Sequence, residues 1–434
     1  MRIAVVGLGK IGLPLAVQYA TKGHQVFGAD INPLTVDLVN QGVEPFPGED
    51  QLAEKLREVV SSGLLTATTD TAAAVSESEV VVVVVPLFVD DDGRPDFGWM
   101  DAATQAIATG LQSGTLVSYE TTLPVGTTRT RYVPMLEDGS GLVADENFHL
   151  VFSPARVLTG RIFADLSKYP KLVGGISSDS EKRGIEFYES VLDFDDRVDL
   201  PKPNGVWPMG SAEAAEMAKL AETTYRDVNI GLANQFAKFA DKTGIDVYAV
   251  IEACNSQPYS HIHRPGIAVG GHCIPVYPRL YMHKDPDATI VAAAREVNAG
   301  MPSFAVSRLQ QQFDSLSGAT VAILGAAYRG HVKETAFSGV FALASELALL
   351  GAIPLVHDPL YTAEEVSQLG LNWFEPGMPV AAAILHTEHQ EYQEWTTWEL
   401  PGVRVILDGR RFLRQAQWGD VRLIGIGYKG GVGD

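Results

Sequence analysis

Residues 3 to 30 constrain the fold more than any other stretch. Ile3-Ala4-Val5-Val6 is an uninterrupted apolar run of the kind that forms a buried parallel strand, and it leads directly into Gly7-Leu8-Gly9-Lys10-Ile11-Gly12. A strand, G-x-G-x-x-G and a helical stretch through Tyr19 make a dinucleotide turn. The first glycine turns the chain, the second leaves room for a pyrophosphate, and the third lets helix and strand pack closely. The next strand, Gln25 to Ala29, ends at Asp30, about 20 residues on, where a carboxylate can accept from a ribose 2'-hydroxyl. The same charge repels a 2'-phosphate, so NAD is favoured over NADP.

Strand-like and helical stretches go on alternating beyond this unit. Val80 to Val85 is a buried strand ending at Pro86, and Asp90-Asp91-Asp92-Gly93 after it reads as a solvated turn. Thr115 to Tyr119 is another strand, running into Glu120-Thr121-Thr122 and then Gly126-Thr127-Thr128. Strand ends in such sheets point at the ligand, so Thr122 is a site candidate, whereas Thr127 and Thr128 read as helix caps. His149 to Pro154 and Lys171 to Gly175 follow, and the proline-rich link from Leu200 to Pro208 marks the first domain boundary.

With 434 residues, two or three domains are expected. The formal net charge of -20 opposes a nucleic-acid or anionic-membrane partner, since both need a basic surface. No segment approaches the roughly 18 apolar residues of a membrane span, and the N-terminus lacks a signal-peptide layout. A cytoplasmic protein without a metal is expected.

A long helix capped at Ser211 should run to about Asp241, with Lys219 and Thr223 one turn apart on one face. Local sequence alone favours a salt-bridged surface lysine for Lys219. Only two cysteines occur. Cys254 lies in an apolar helical run and reads as a core thiol. Cys273 lies in Gly270-Gly271-His272-Cys273-Ile274-Pro275, where two glycines admit close approach of another molecule. On these residues alone, a presented nucleophile and a buried thiol in a glycine turn stand level.

Past a helix from Thr289 to Asn298, a second α/β unit begins. Strands are expected at Ala319 to Gly325, Ile353 to Asp358, Ala381 to Leu385 and Val403 to Asp408, with a helix from Ser338 to Leu350. This unit carries no second G-x-G-x-x-G, so a different nucleotide mode is expected.

In order, these features resemble the UDP-glucose and UDP-N-acetylmannosamine 6-dehydrogenase family. The resemblance rests on Gly7 to Gly12, Glu120 to Thr128, Ser153-Pro154 with Arg156-Val157-Leu158, Ala215 to Leu220, Gly270 to Val276, His357-Asp358-Pro359, Thr387-Glu388-His389 and Leu407 to Arg410. It implies two Rossmann-like doubly wound parallel-sheet domains joined by a long central helix. The NAD-binding domain would span 1-200, a central helical dimerisation domain with the cysteine loop 201-300, and a UDP-sugar-binding α/β domain 301-434.

The resemblance further implies oxidation of a UDP-sugar C6 alcohol to the uronate with two NAD, through a thiohemiacetal and a thioester on Cys273. Lys219, Thr122 and Thr223 would assist that chemistry. Gly7, Leu8, Gly9, Lys10, Ile11, Gly12, Asp30, Pro86 and Thr122 would hold NAD. Arg156, Val157, Leu158, Lys219, Gly270, Gly271, Tyr328 and Arg329 would hold the sugar nucleotide. A homodimer through the central helix is implied as well, and Cys273 would face the nicotinamide in a partly desolvated cleft.

Four positions depart from the family pattern. Ala155 stands where Ser-Pro is usually followed by glutamate, Thr223 where the lysine's asparagine partner is expected, Tyr277 replaces an aspartate, and Ala336 replaces an arginine. Ala155 has no acid or base function. Partial oxidation or oxidation-dependent epimerisation, and a nucleotide-sugar-binding protein without turnover, are therefore the alternatives.

Overall fold

A computed structural model describes residues 1–90 and 93–428. The acidic turn expected at 90–93 therefore falls partly on residues 91 and 92, outside the described residues. The chain divides into two compact units, one of residues Met1–Glu222 with Arg279–Lys284, the other of Thr223–Pro278 with Asp285–Asp434.

The first unit is built on an eight-stranded sheet. Its strands are β1 (Arg2–Val6), β2 (Gln25–Ala29), β3 (Leu65–Thr68), β4 (Val80–Val83), β7 (Leu116–Tyr119), β8 (His149–Phe152), β9 (Lys171–Gly175) and β10 (Val206–Pro208), while β5 (Phe88–Val89) and β6 (Pro95–Asp96) form a separate hairpin. The spatial order is β10-β9-β8-β7-β4-β1-β2-β3, with every pairing parallel except β8 to β9. Leaving β1 in both directions, the chain creates the topological switch point at which such sheets bind ligands, outside the carboxyl ends of β1 and β4. Val80 to Val83 are wholly buried, as expected of a strand covered on both faces. The proline-rich stretch before the long helix supplies the edge strand β10.

In the second unit, β11 (Thr320–Leu324), β12 (Ile353–His357), β13 (Ala382–Leu385), β14 (Val405–Asp408) and β15 (Arg422–Gly425) form a parallel sheet of order β12-β11-β13-β14-β15. Strand β15 here, like β3 in the first unit, lies where the sequence suggested no strand. The fold is thus α/β with two parallel-sheet nucleotide-binding-type units.

The long helix runs Ala212–Thr243. The Ser211 hydroxyl accepts the Ala214 amide at 3.1 Å, so the expected cap is present. Tyr225, Leu232, Phe236 and Phe239 are exposed along it, an apolar stripe at helical spacing. No helix among the described residues is long and apolar enough to cross a membrane.

Candidate active site

At the carboxyl end of β1 the three glycines do different work. Gly7 has φ +94°, a backbone that side chains disfavour, and its amide donates to Ala29 O at 2.8 Å, tying the turn to the end of β2. A Cβ on Gly12 would lie 1.8 Å from Gly7 O, whereas one on Gly9 would meet nothing within 4 Å. Gly12 is required for packing, and Gly9 leaves open space over the turn. Asp30 then fixes the turn, accepting the Leu8 amide through Oδ2 at 2.8 Å and the Asn32 amide through Oδ1 at 2.9 Å. A carboxylate has about four acceptor positions, so capacity remains for a ribose hydroxyl. The residues fit NAD: an open turn, a helix N-terminus and an acid at the end of β2. Lys10 and Pro86 are exposed, Ile11 is half-buried and Thr122 is buried just beyond β7.

Next to Thr122 lies a buried ionic cluster. Glu120 accepts Lys171 Nζ at 2.6 Å and the Tyr188 hydroxyl at 2.8 Å, and Lys171 also donates to Ser153 O at 3.2 Å. Burial pulls the Lys171 ammonium below its usual range, while the Glu120 charge works the other way. The 153–158 loop is held from several sides. Ala155 N donates to Glu120 O at 3.3 Å, and Ala155 O accepts Lys219 Nζ at 2.7 Å. Arg156 bonds Glu222 at 2.9 Å and Pro170 O at 3.1 Å. A cavity of about 20 Å³, room for about one water, adjoins Glu120, Ala155 and Lys171. Val157 is half-buried and Leu158 exposed.

Two local expectations are overturned here. Lys219 is no surface lysine: it is 7% exposed, and its ammonium donates to the carbonyl of Ala155. Thr127 and Thr128 do not cap a helix. Thr127 has helical dihedrals and no capping bond, and the Thr128 hydroxyl donates instead to Glu216 at 2.7 Å. Glu216, in the first turns of the long helix, also takes the amides of Gly126 and Thr128, and burial pushes its carboxyl up to about 7. Thr223, one turn past Lys219, is buried.

In the second unit, the cysteine loop packs on the carboxyl end of the sheet. A Cβ on Gly270 would lie 2.5 Å from Tyr328 Cβ, and one on Gly271 3.0 Å from the Tyr328 ring. The close approach that these glycines allow is therefore made by the chain's own Tyr328. Gly271, with φ +90°, donates to Ala336 O at 2.8 Å. Cys273 is half-buried, and so is Cys254 on its helix, so Cys254 is not the core thiol expected. What differs is the backbone: Cys273 sits in a glycine loop beside Tyr328. Arg329 follows in the same turn, half-buried, with no hydrogen-bond or ion-pair partner among the described residues.

This turn repeats the first unit's device with a different result. Gly325, φ +106°, donates to His357 O at 2.7 Å, as Gly7 does to Ala29. Asp358, just past β12, accepts Ala326 N at 2.8 Å, Ala327 N at 2.9 Å, Leu360 N at 2.9 Å and His389 Nε2 at 3.2 Å. Its carboxyl is held below the usual range by those donors, against the opposing pull of burial. Ala326 and Ala327 are fully buried, so no space like that over Gly9 exists. Burial also pushes His357 down to about 4 and His386 to about 3.

Sequence reasoning missed Glu120, Lys171 and Glu216 as site-forming groups, and missed four polar residues behind the cysteine loop. Asp227 and Asn234 share a face of the long helix with Gly231 between them, and that pattern was the available signal.

Three consecutive family models match the chain: the NAD binding domain of the UDP-glucose/GDP-mannose dehydrogenase family over residues 1–192, its central domain over 213–300 and its UDP binding domain over 322–415. The chain is 34% identical over 439 residues to a UDP-N-acetyl-D-mannosamine dehydrogenase of Pyrococcus horikoshii, covering 98% of this chain and 100% of the relative. It is 30% identical over 424 residues to an NDP-N-acetyl-D-galactosaminuronic acid dehydrogenase of Ralstonia nicotianae, covering 94% and 95%. A solved structure of the UDP-D-ManNAc dehydrogenase from Pyrococcus horikoshii superposes with a TM-score of 0.87 at 31% identity, over 98% of this chain and 99% of that one.

Proposed function

The chain belongs to the UDP-glucose/GDP-mannose dehydrogenase family and is an NAD-dependent nucleotide-sugar dehydrogenase, and on that premise we propose that it oxidises the C6 alcohol of a UDP-N-acetylhexosamine to the uronate through Cys273. The relatives named for N-acetylated sugars support that choice over UDP-glucose. The observation that carries the reading is the association, in one unit, of the half-buried Cys273 with the turn bearing Arg329, which has no hydrogen-bond or ion-pair partner among the described residues. A cation without a partner among the described residues, in a chain of net charge -20, suits a diphosphate.

The Gly7–Gly12 turn and Asp30, with Pro86 and Thr122, would hold NAD, and two NAD bound in succession would each accept one hydride. The alcohol loses a hydride and a proton to give the aldehyde. The Cys273 thiolate adds to the aldehyde carbon, and the Lys219 ammonium stabilises the oxyanion that forms. Loss of a second hydride from that carbon leaves a thioester. Water then attacks, the carbon–sulfur bond breaks, and carboxylate and thiolate are released. Thr122 and Thr223 hold the water and the oxyanion by hydrogen bonds, and Arg156, Val157, Leu158, Gly270, Gly271 and Tyr328 line the sugar nucleotide. The exposed stripe of Tyr225, Leu232, Phe236 and Phe239 supports a homodimer through the long helix.

Ala155 favours a second reading. With no acid at this position, the thioester persists, and oxidation ends on the enzyme. NADH formed per sugar consumed, over a panel of UDP-hexoses and UDP-N-acetylhexosamines, with intact-protein mass spectrometry, separates the two. Two NADH and free uronate support full oxidation. A single turnover with a sugar adduct on Cys273 supports the second reading, and no NADH with any sugar sinks both.

A further inference from the structure

A buried polar seam behind the cysteine loop joins the loop's two ends. Gly266 N donates to Asn234 Oδ1 at 2.9 Å, and Asn234 Nδ2 donates to Asn298 Oδ1 at 2.8 Å. Asn298 Nδ2 donates in turn to Asp227 Oδ1 at 2.8 Å and to Asp227 O at 3.0 Å. Arg295 Nη1 pairs with Asp227 Oδ1 at 3.2 Å and donates to Ile274 O at 3.3 Å, on the residue after Cys273. Two helices supply the seam: Asp227 and Asn234 from the long one, Arg295 and Asn298 from Thr289–Ala299. They can approach because Gly231 sits between the two long-helix residues, where a Cβ would lie 3.0 Å from Ala294 Cβ.

Burying an aspartate and two asparagines between helices, with a half-buried arginine beside them, is costly unless the groups satisfy one another. Asp227, Asn234 and Asn298 are each at most 2% exposed. An apolar seam would hold the helices together at least as well. It would offer nothing to the amide of Gly266 or the carbonyl of Ile274. Two helices that packed only for stability would not need both contacts.

We propose that Asp227, Asn234, Arg295 and Asn298 form a two-point clamp that fixes the Cys273 loop, and that they are positioning residues for the thiol. The proposal rests on the reading of Cys273 as the nucleophile. Arg295 acts at the thiol end and Asn234 at the Gly266 end, and the Asp227–Asn298 pair couples them. Releasing either end frees the whole loop.

The test uses the full-length chain and the variants Arg295→Met, Arg295→Lys and Asn234→Ala. Hydrogen exchange of peptides covering 266–276 is read beside steady-state kinetics with NAD and UDP-N-acetylhexosamines. Arg295→Met and Asn234→Ala are each expected to speed exchange across the loop by about tenfold or more, including at the end distant from the substitution. Each should lower kcat by about a hundredfold and leave KM for NAD unchanged, with part of kcat restored in Arg295→Lys. If Arg295→Met does not fold, Asn234→Ala and Arg295→Lys carry the same readouts. Variants that lose thermal stability while retaining wild-type loop exchange and kcat would overturn the clamp. If the unsubstituted protein turns over no sugar, the functional reading fails, and the exchange measurement still decides whether the seam holds the loop.

Discussion

Lys219 Nζ donates to the main-chain oxygen of Ala155 at 2.7 Å, and both groups are held inside the first unit. A cation so placed is oriented by a peptide oxygen, which carries no net charge, and its own positive charge can stabilise an anion that forms beside it. Lys219→Met is therefore expected to lower kcat by about 10²- to 10³-fold while the affinity for NAD stays the same. Stopped-flow NADH formation with fluorescence titration of NAD checks both halves; an unchanged kcat removes Lys219 from the chemistry.

Ala155→Glu places a carboxylate one residue before Arg156 on the loop that Lys219 contacts. If hydrolysis limits turnover, uronate release is expected to rise by about 10²-fold, as for an added general base. Quenched-flow analysis of uronate against NADH reports this directly. Lower uronate release in the variant would mean that the site works as built around alanine.

The glycine turn separates folding from binding. Gly9→Ala, whose methyl enters open space, should keep its melting temperature and lose NAD affinity by about tenfold or more. Gly12→Ala, whose methyl would sit 1.8 Å from Gly7 O, should be destabilised by about 1–3 kcal/mol or more. Thermal melts and NAD titrations on both variants give the four values required.

Glu216 makes the first unit less stable as pH rises. Its folded carboxyl is pushed up to about 7, so between the ordinary carboxylate range and 7 the native state holds a proton that the unfolded chain has released. Stability present in acid is lost across that window, by roughly 3 kcal/mol. In Glu216→Gln the fall in urea midpoint from pH 5 to pH 8 should shrink. An identical pH slope in both proteins counts against the assignment.

The second unit should respond in the opposite direction. His357 and His386 are buried neutral, pushed down to about 4 and about 3, so below the ordinary histidine range the unfolded chain takes up protons that the native state refuses. Stability is full above about pH 6.5 and falls as pH drops toward 4. Near-ultraviolet circular dichroism of Trp395, Trp373 and their neighbours, followed from pH 7 to pH 4, should report the loss of this unit. His357→Gln should move the transition to lower pH.

The cofactor turn was legible because all its determinants lie within one short stretch: Gly7, Gly9, Gly12 and Asp30 are read by spacing, and the contacts among them are local. The long helix was legible through Ser211 and its run of helix formers. The burial of Lys219 was not, because one of its contacts is to a main-chain oxygen, and main-chain oxygens leave no trace in composition. Thr128 was misread for a related reason. Capping competes with any buried acceptor nearby, and Glu216 lies 88 residues away in sequence. The seam of Asp227, Asn234, Arg295 and Asn298 was hidden because polar residues on helices usually face water. Only Gly231 between the first two hinted that another helix comes close there.

Asp30 and Asp358 follow the second strands of their respective units and brace the turn after the first. Asp30 has acceptor positions to spare; Asp358 has given its own to three amides and an imidazole. A scaffold can thus be used twice in one chain without duplicating its ligand, because the bracing acid is left available in one copy and fully committed in the other. Converting the second unit to dinucleotide binding would take more than a glycine at Ala327. It would require relieving Asp358 of the amides it now restrains, and the turn would loosen as a result.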